Sequence, residues 1–113
     1  MEVVFCSSDF GHKKGEFCPR LKLEQHFISF FRTDFMYEKN GKLLRGNNGD
    51  MMIIPRGEIV WHDPTPEMTE GFRNDWMHIN GDDFIELVKK YEIPIGTLFK
   101  VGDAMLLHTA LKK

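Results

Sequence analysis

Five histidines, two cysteines and two tryptophans are the residues of this sequence with the most specific chemistry to offer. His12 stands between Cys6 and Cys18. A zinc site needs four nitrogen or sulfur ligands at characteristic spacings, and this stretch has no C-x-x-C pair and no second cluster to complete the set. The two cysteines read as free thiols in a reducing cytosol, with a Cys6–Cys18 disulfide as the alternative. An acid/base pair can be drawn between His62 and Glu58 or His26, but only their shared β-type runs support it. As a nucleophile, Cys18, just before Pro19, has no base nearby in sequence. The expectation is a binding module, not an enzyme, with no metal and no cofactor.

A stronger pattern lies on two β-type runs. In Glu58 to His62, alternation puts Val60 and His62 on one face and Ile59 and Trp61 on the other. In Phe72 to Ile79, Asn74, Trp76 and His78 share a face. With the polar faces inward, a cup is lined by His62, Asn74, Trp76 and His78, and Arg20 reaches over its rim. An indole for stacking, a guanidinium fork and amide and imidazole groups for directional hydrogen bonds suit a polyhydroxylated ligand. The competing reading makes Trp76 a core residue and His78 a satisfied strand histidine. Parity alone leaves the inward face open, since a one-residue slip exchanges the two faces. Phe27, Phe30, Phe31, Phe35, Met51, Met52 and Met77 read as packing, and His12 and His108 as surface residues.

The elements that position these residues are short β-type runs separated by turn signals. His26 to Arg32 carries apolar residues at odd and even positions, as a strand covered on both sides does. Phe35 to Lys39 ends at Asn40-Gly41, the strongest two-residue hairpin signal, and Lys42 to Arg45 returns. Gly46-Asn47-Asn48-Gly49 turns the chain into Met51 to Ile54, Pro55-Arg56-Gly57 ends that run, and the prolines of Asp63-Pro64-Thr65-Pro66 mark a loop. Many short strands between Gly, Asn and Pro turns predict an antiparallel barrel or sandwich. The period then changes. Phe84, Leu87, Val88 and Tyr91 fall at i, i+3, i+4 and i+7, predicting a helix over 83–91 with Asp82 or Asp83 as its cap. Thr97 to Val101 reads as extended. Asp103 caps a last helical pattern, Ala104 to Leu111, which stops where the sequence stops and reads as the start of a longer helix.

The length of 113 residues suits one domain. A formal net charge of −2, with basic residues clustered only in pairs, argues against a built-in nucleic-acid surface. No apolar run approaches the ~18 residues of a membrane span, and the first residues lack a signal peptide's basic and apolar regions. The expected location is cytoplasmic.

One stretch narrows the reading further. GDMMIIPRG at 49–57 resembles the second half of the cupin motif, Gly-x5-Pro-x-Gly-x2-His, with Val60 where the motif has its histidine and His62 two residues later on the same strand face. The first half of that motif supplies two histidines and a glutamate; here the matching stretch offers Arg20, Lys22 and His26, or Arg32, Asp34 and Glu38. That is not the nitrogen-rich set a metal cupin uses. The Pro55-to-Pro64 segment followed by Asn74-Asp75-Trp76-Met77-His78, a helix and Ile93-Pro94 resembles the N-terminal effector domain of AraC-family transcription regulators over about residues 18 to 101. Pro19-Arg20 is similar to the lead-in to that family's first barrel strand. Arg32-Thr33-Asp34 replaces the family's usual glycine turn, and Ile79 stands where Phe is common.

The resemblance implies a mainly β fold, a cupin-type double-stranded β-helix followed by one or two helices. It implies an arm at 1–17, barrel strands at 18–81 and helical segments at 82–113. It implies a small-molecule effector such as a carbohydrate, held by Arg20, His62, Asn74, Trp76 and His78, and a homodimer formed through the trailing helices. DNA would be contacted only through a C-terminal helix-turn-helix domain outside this chain. Two alternatives remain: a metal-dependent cupin enzyme using His26, His62 and His78, and a stand-alone sugar-binding cupin.

Overall fold

The computed structural model describes residues 1–13, 15 and 20–100. In chain order the elements are β1 (Glu2–Lys13), β2 (Leu21–Lys22), β3 (His26–Phe31), β4 (Phe35–Lys39), β5 (Lys42–Gly46), β6 (Asp50–Ile54), β7 (Ile59–Val60), β8 (His62–Asp63), β9 (Gly71–Asn80), α1 (Asp83–Lys90) and β10 (Phe99–Lys100). Cys6 is exposed and free, whereas Cys18, its partner in the alternative disulfide reading, and the helix expected at 104–111 lie outside the described residues.

The hairpin signal at Asn40-Gly41 is realised closely. Both residues take positive φ, 53° and 74°, the backbone a two-residue hairpin turn requires. They join β4 to β5 with Lys39 opposite Lys42. At the far end of the hairpin Phe35 is opposite Gly46, and a Cβ on Gly46 would come within 2.1 Å of the Phe35 ring. Glycine is there because the ring occupies the side-chain position.

The strands form three antiparallel sheets: β1-β9-β3-β6-β10, β5-β4-β8 and β2-β7. The fold is mainly β with one short helix, and no closed barrel forms among the described residues. The run read as one strand over Glu58 to His62 is two strands in two sheets. Ile59 and Val60 pair with Lys22 and Leu21, whereas His62 and Asp63 pair with Tyr37 and Met36. The chain leaves one ladder and joins the other at Trp61, and this brings a half-buried His62 against the phenyl rings of the core. Residues 2–13, for which no strand was predicted, are the edge strand β1, paired with β9 from Glu2–Asn80 to Lys13–Gly71 across two irregularities.

The five-stranded sheet is covered on both faces, which explains the continuous burial of β3. On one face Ile28, Ile53 and Ile79 pack with Phe84 and Val88 of α1, Ile93 and Phe99. The i, i+4 pair Phe84 and Val88 is fully buried, as an amphipathic helix on a sheet requires. Asp82 is the residue before α1, yet its side chain makes no cap; Lys89 and Lys90 occupy the last turn. On the opposite face Phe27, Phe31, Met52, Ile54 and Phe72 pack with Leu23, Phe35, Tyr37 and Val60, residues of and around the two smaller sheets. Asn74, Trp76 and His78 of β9 belong to this second face.

Candidate functional site

In β9, residues 72, 74, 76 and 78 point to one side. They stand opposite Phe31, Ser29 and Phe27 of β3 and His12, Phe10, Ser7 and Phe5 of β1. The parity expected for Asn74, Trp76 and His78 is the one observed, and it is the aromatic side of the sheet. What each group does there differs.

Asn74 is buried and its amide is in use. Its Nδ2 donates to Ser29 Oγ at 3.0 Å, and its Oδ1 lies 3.2 Å from His12 Nε2. The His12 ring also stacks on Phe72 with centroids 4.3 Å apart. The expectation of a surface His12 is thus corrected: it is half-buried because β1 lies against β9.

His62 sits within a cage of phenyl rings. Phe27, Phe31, Phe35 and Phe72 lie 6.3, 5.0, 5.8 and 6.4 Å from it, centroid to centroid. Burial disfavours the imidazolium, and together with the nearby His12 it pushes the His62 pKa down to about 3. At neutral pH the ring is uncharged.

Trp76 and His78 occupy the more open part of this face. Both are half-buried, 5.5 Å apart and perpendicular. Phe5 stacks on His78 at 4.2 Å and meets Trp76 edge-on at 5.6 Å, while Phe10 meets Trp76 at 5.9 Å. Phe5 and Phe10 keep 47% and 42% of their surface exposed, so the cluster is open to solvent from the β1 side. Burial lowers the His78 pKa, and its Nδ1 is enclosed with no hydrogen-bond partner. Buried polar atoms are nearly always paired. The His78 Nδ1 is thus an enclosed polar atom without a partner next to half-exposed aromatic rings.

Arg20 lies apart from this group. Its Nε donates to Glu38 Oε2 at 2.7 Å, and its guanidinium lies 5.2 Å from the centre of the Trp61 ring. His26 is on the other face of the sheet, opposite Ile79 of β9, with Nε2 3.1 Å from Asp82 Oδ1. The three histidines proposed for a metal-dependent enzyme are therefore divided between two faces. Among the described residues no group of three His, Cys, Asp or Glu side chains stands where it could hold a metal ion.

The structure thus sets Asn74, Trp76 and His78 on one side of β9, opposite Phe31, Ser29 and Phe27, with the Phe27 ring near both His78 and His62, and leaves Arg20 with Glu38. Sequence reasoning missed Phe5, Phe10 and His12. Their only signal was the run of β-formers Val3 to Cys6, and the polar Ser7-Ser8-Asp9 interrupts the pattern before Phe10. Comparison of the sequence with family models gives no match, and comparison with curated proteins gives none either.

Proposed function

We propose that this chain is a small-molecule sensing module that takes a carbohydrate-like ligand on the aromatic side of its main sheet. The observation that carries the reading is the solvent-open cluster of Phe5, Phe10, Trp76 and His78 around an unpaired imidazole nitrogen. Aromatic faces pack against the apolar face of a sugar ring, and an imidazole nitrogen accepts from or donates to a hydroxyl. No ionised side chain belongs to the cluster, and the neighbouring His62 is neutral at physiological pH; an uncharged ligand fits such a site.

The finer form of the reading is a cupin-like, dimerising effector domain of an AraC-type regulator acting in the cytoplasm. It is supported by the order and spacing of the 49–57 stretch, the Trp76-x-His78 strand, the helix and Ile93-Pro94. In that form the ligand changes how β1 lies on β9, which requires different affinities for two arrangements. DNA binding belongs to a separate helix-turn-helix domain, and these 113 residues alone bind no specific DNA. Among the described residues no helix is long and apolar enough to cross a membrane.

The test is a thermal-shift and tryptophan-fluorescence screen with pentoses, hexoses and their acids. At least one neutral sugar raises the melting temperature and perturbs emission saturably, and Trp76→Ala removes both effects while Trp61→Phe keeps them. Failure of every sugar, or binding that survives Trp76→Ala, overturns the reading.

A further inference from the structure

His26 lies outside the proposed ligand site, on the helix side of the sheet, with 3% of its surface exposed. Both of its ring nitrogens are engaged. Nδ1 is 3.0 Å from the backbone nitrogen of Arg56, a group that can only donate, so Nδ1 accepts. The imidazole proton therefore resides on Nε2, which donates to Asp82 Oδ1 at 3.1 Å. Asp82 Oδ2 in turn accepts from Arg56 Nη2 at 3.2 Å. One uncharged ring thus ties the start of β3, the Pro55-Arg56-Gly57 turn and the entry of α1. This also explains why Asp82 does not cap its helix: its carboxylate is turned towards His26 and Arg56 instead.

The groups facing His26 come from three elements. Asp82 faces it from the entry of α1, with Arg56 reaching the same carboxylate from the turn. Phe84 presents an apolar ring at 6.0 Å, and the β9 residue opposite is Ile79. Nε2 already carries its proton, directed at the Asp82 carboxylate, so a second proton can enter only at Nδ1. There it converts an accepted hydrogen bond into two donors facing each other at a ring that is 3% exposed. Histidine is the side chain that exchanges an accepting ring nitrogen for a donating one by taking up a proton. The turn it holds is itself a junction: Gly57 N–H donates to Leu23 O at 2.8 Å, and Leu23 N–H donates to Glu58 O at 2.9 Å, next to the β2–β7 ribbon.

The geometry points to a proton-operated latch: neutral His26 fastens the 55–57 turn to the sheet, and protonated His26 releases it. The latch is independent of the ligand reading, since it uses the other face of the sheet.

Two NMR measurements on the intact chain test it. Long-range nitrogen–proton correlation at pH 8 shows His26 as the Nε2–H tautomer. Hydrogen exchange of the Arg56 amide, corrected for its intrinsic pH dependence, accelerates at least tenfold between pH 7.5 and 5.5, while Ile53 and Ile79 amides in the same sheet keep their protection. In His26→Asn, which places a non-titrating acceptor near the Nδ1 position, the Arg56 acceleration disappears. An Nδ1–H tautomer overturns the latch, as does constant Arg56 protection, or acceleration shared equally by Ile53 and Ile79. If His26→Asn does not fold, the measurements on the unmodified protein decide by themselves.

Discussion

The two faces of the five-stranded sheet are built from the same strands and solve opposite problems. The helix side is a closed apolar layer: Ile28, Ile53 and Ile79 against Phe84 and Val88, with the buried His26 satisfied at both nitrogens. The other side is aromatic and imidazole-rich. It includes a neutral caged His62, a His78 with an unpaired nitrogen, and a β1 border where Phe5 and Phe10 remain largely exposed. The helix side leaves its buried histidine fully bonded, whereas the aromatic side leaves the His78 Nδ1 without a partner next to half-exposed rings. That contrast is what the proposed ligand site rests on.

The largest effect expected is on the helix side. Phe84→Ala removes a fully buried ring and costs about 3–5 kcal/mol in a denaturant titration. A loss under about 1 kcal/mol would mean that α1 does not seal that face.

Next comes the acid response of the aromatic side. With the His62 pKa at about 3 in the folded chain and near 6.5 unfolded, the unfolded chain binds the extra proton between those values. Stability from this group is complete above pH 6.5 and is lost as pH falls towards 3, by roughly 3–5 kcal/mol in all. His78, also lowered by burial, acts in the same direction. Asp34, held down by the Asn48 N–H and then by Arg45, adds its loss only below the ordinary carboxylate range. Denaturant midpoints at pH 7.5 and 4.5 should therefore differ in the wild type, and His62→Leu should flatten most of the difference. An equal slope in both proteins would place the His62 ring in water.

A smaller effect is expected where the β4–β5 hairpin meets the cage. Gly46→Ala pushes a methyl group into the buried Phe35 ring and destabilises by about 1–3 kcal/mol. Smallest in stability is the open border: Phe5→Ala and Phe10→Ala, each near half exposed, cost under about 1 kcal/mol. They should nonetheless weaken sugar binding in the fluorescence titration. Full affinity in the double variant would detach β1 from the site.

The helix side and the strands that cross the core were legible in the sequence, because their residues repeat with the period of their element. Phe84, Leu87, Val88 and Tyr91 mark α1, Asn40-Gly41 fixes the first hairpin, and the run from His26 carries apolar groups at both parities. The aromatic side was legible only by halves. Asn74, Trp76 and His78 lie on one strand, so parity found them together. Their partners on β1 could not be found that way, since two irregularities break its alternation and it pairs with a strand far along the chain, from Lys13 opposite Gly71 to Glu2 opposite Asn80. The change of sheet at Trp61 was hidden too: a five-residue run of β-formers reads as one strand, whichever ladders its two ends join. Arg20 was placed at the cup by resemblance, whereas its position is set by Glu38 and Trp61.

The most direct test of the division between the faces is a ligand titration followed by NMR shift mapping, with the neutral sugar that gives the largest thermal shift. Saturable shifts should gather at the His78 ring nitrogens, the Trp76 indole and the Phe5 and Phe10 rings, while Ile28, Ile53 and Val88 stay still. Saturable shifts centred on the helix side, or none anywhere, would contradict the account.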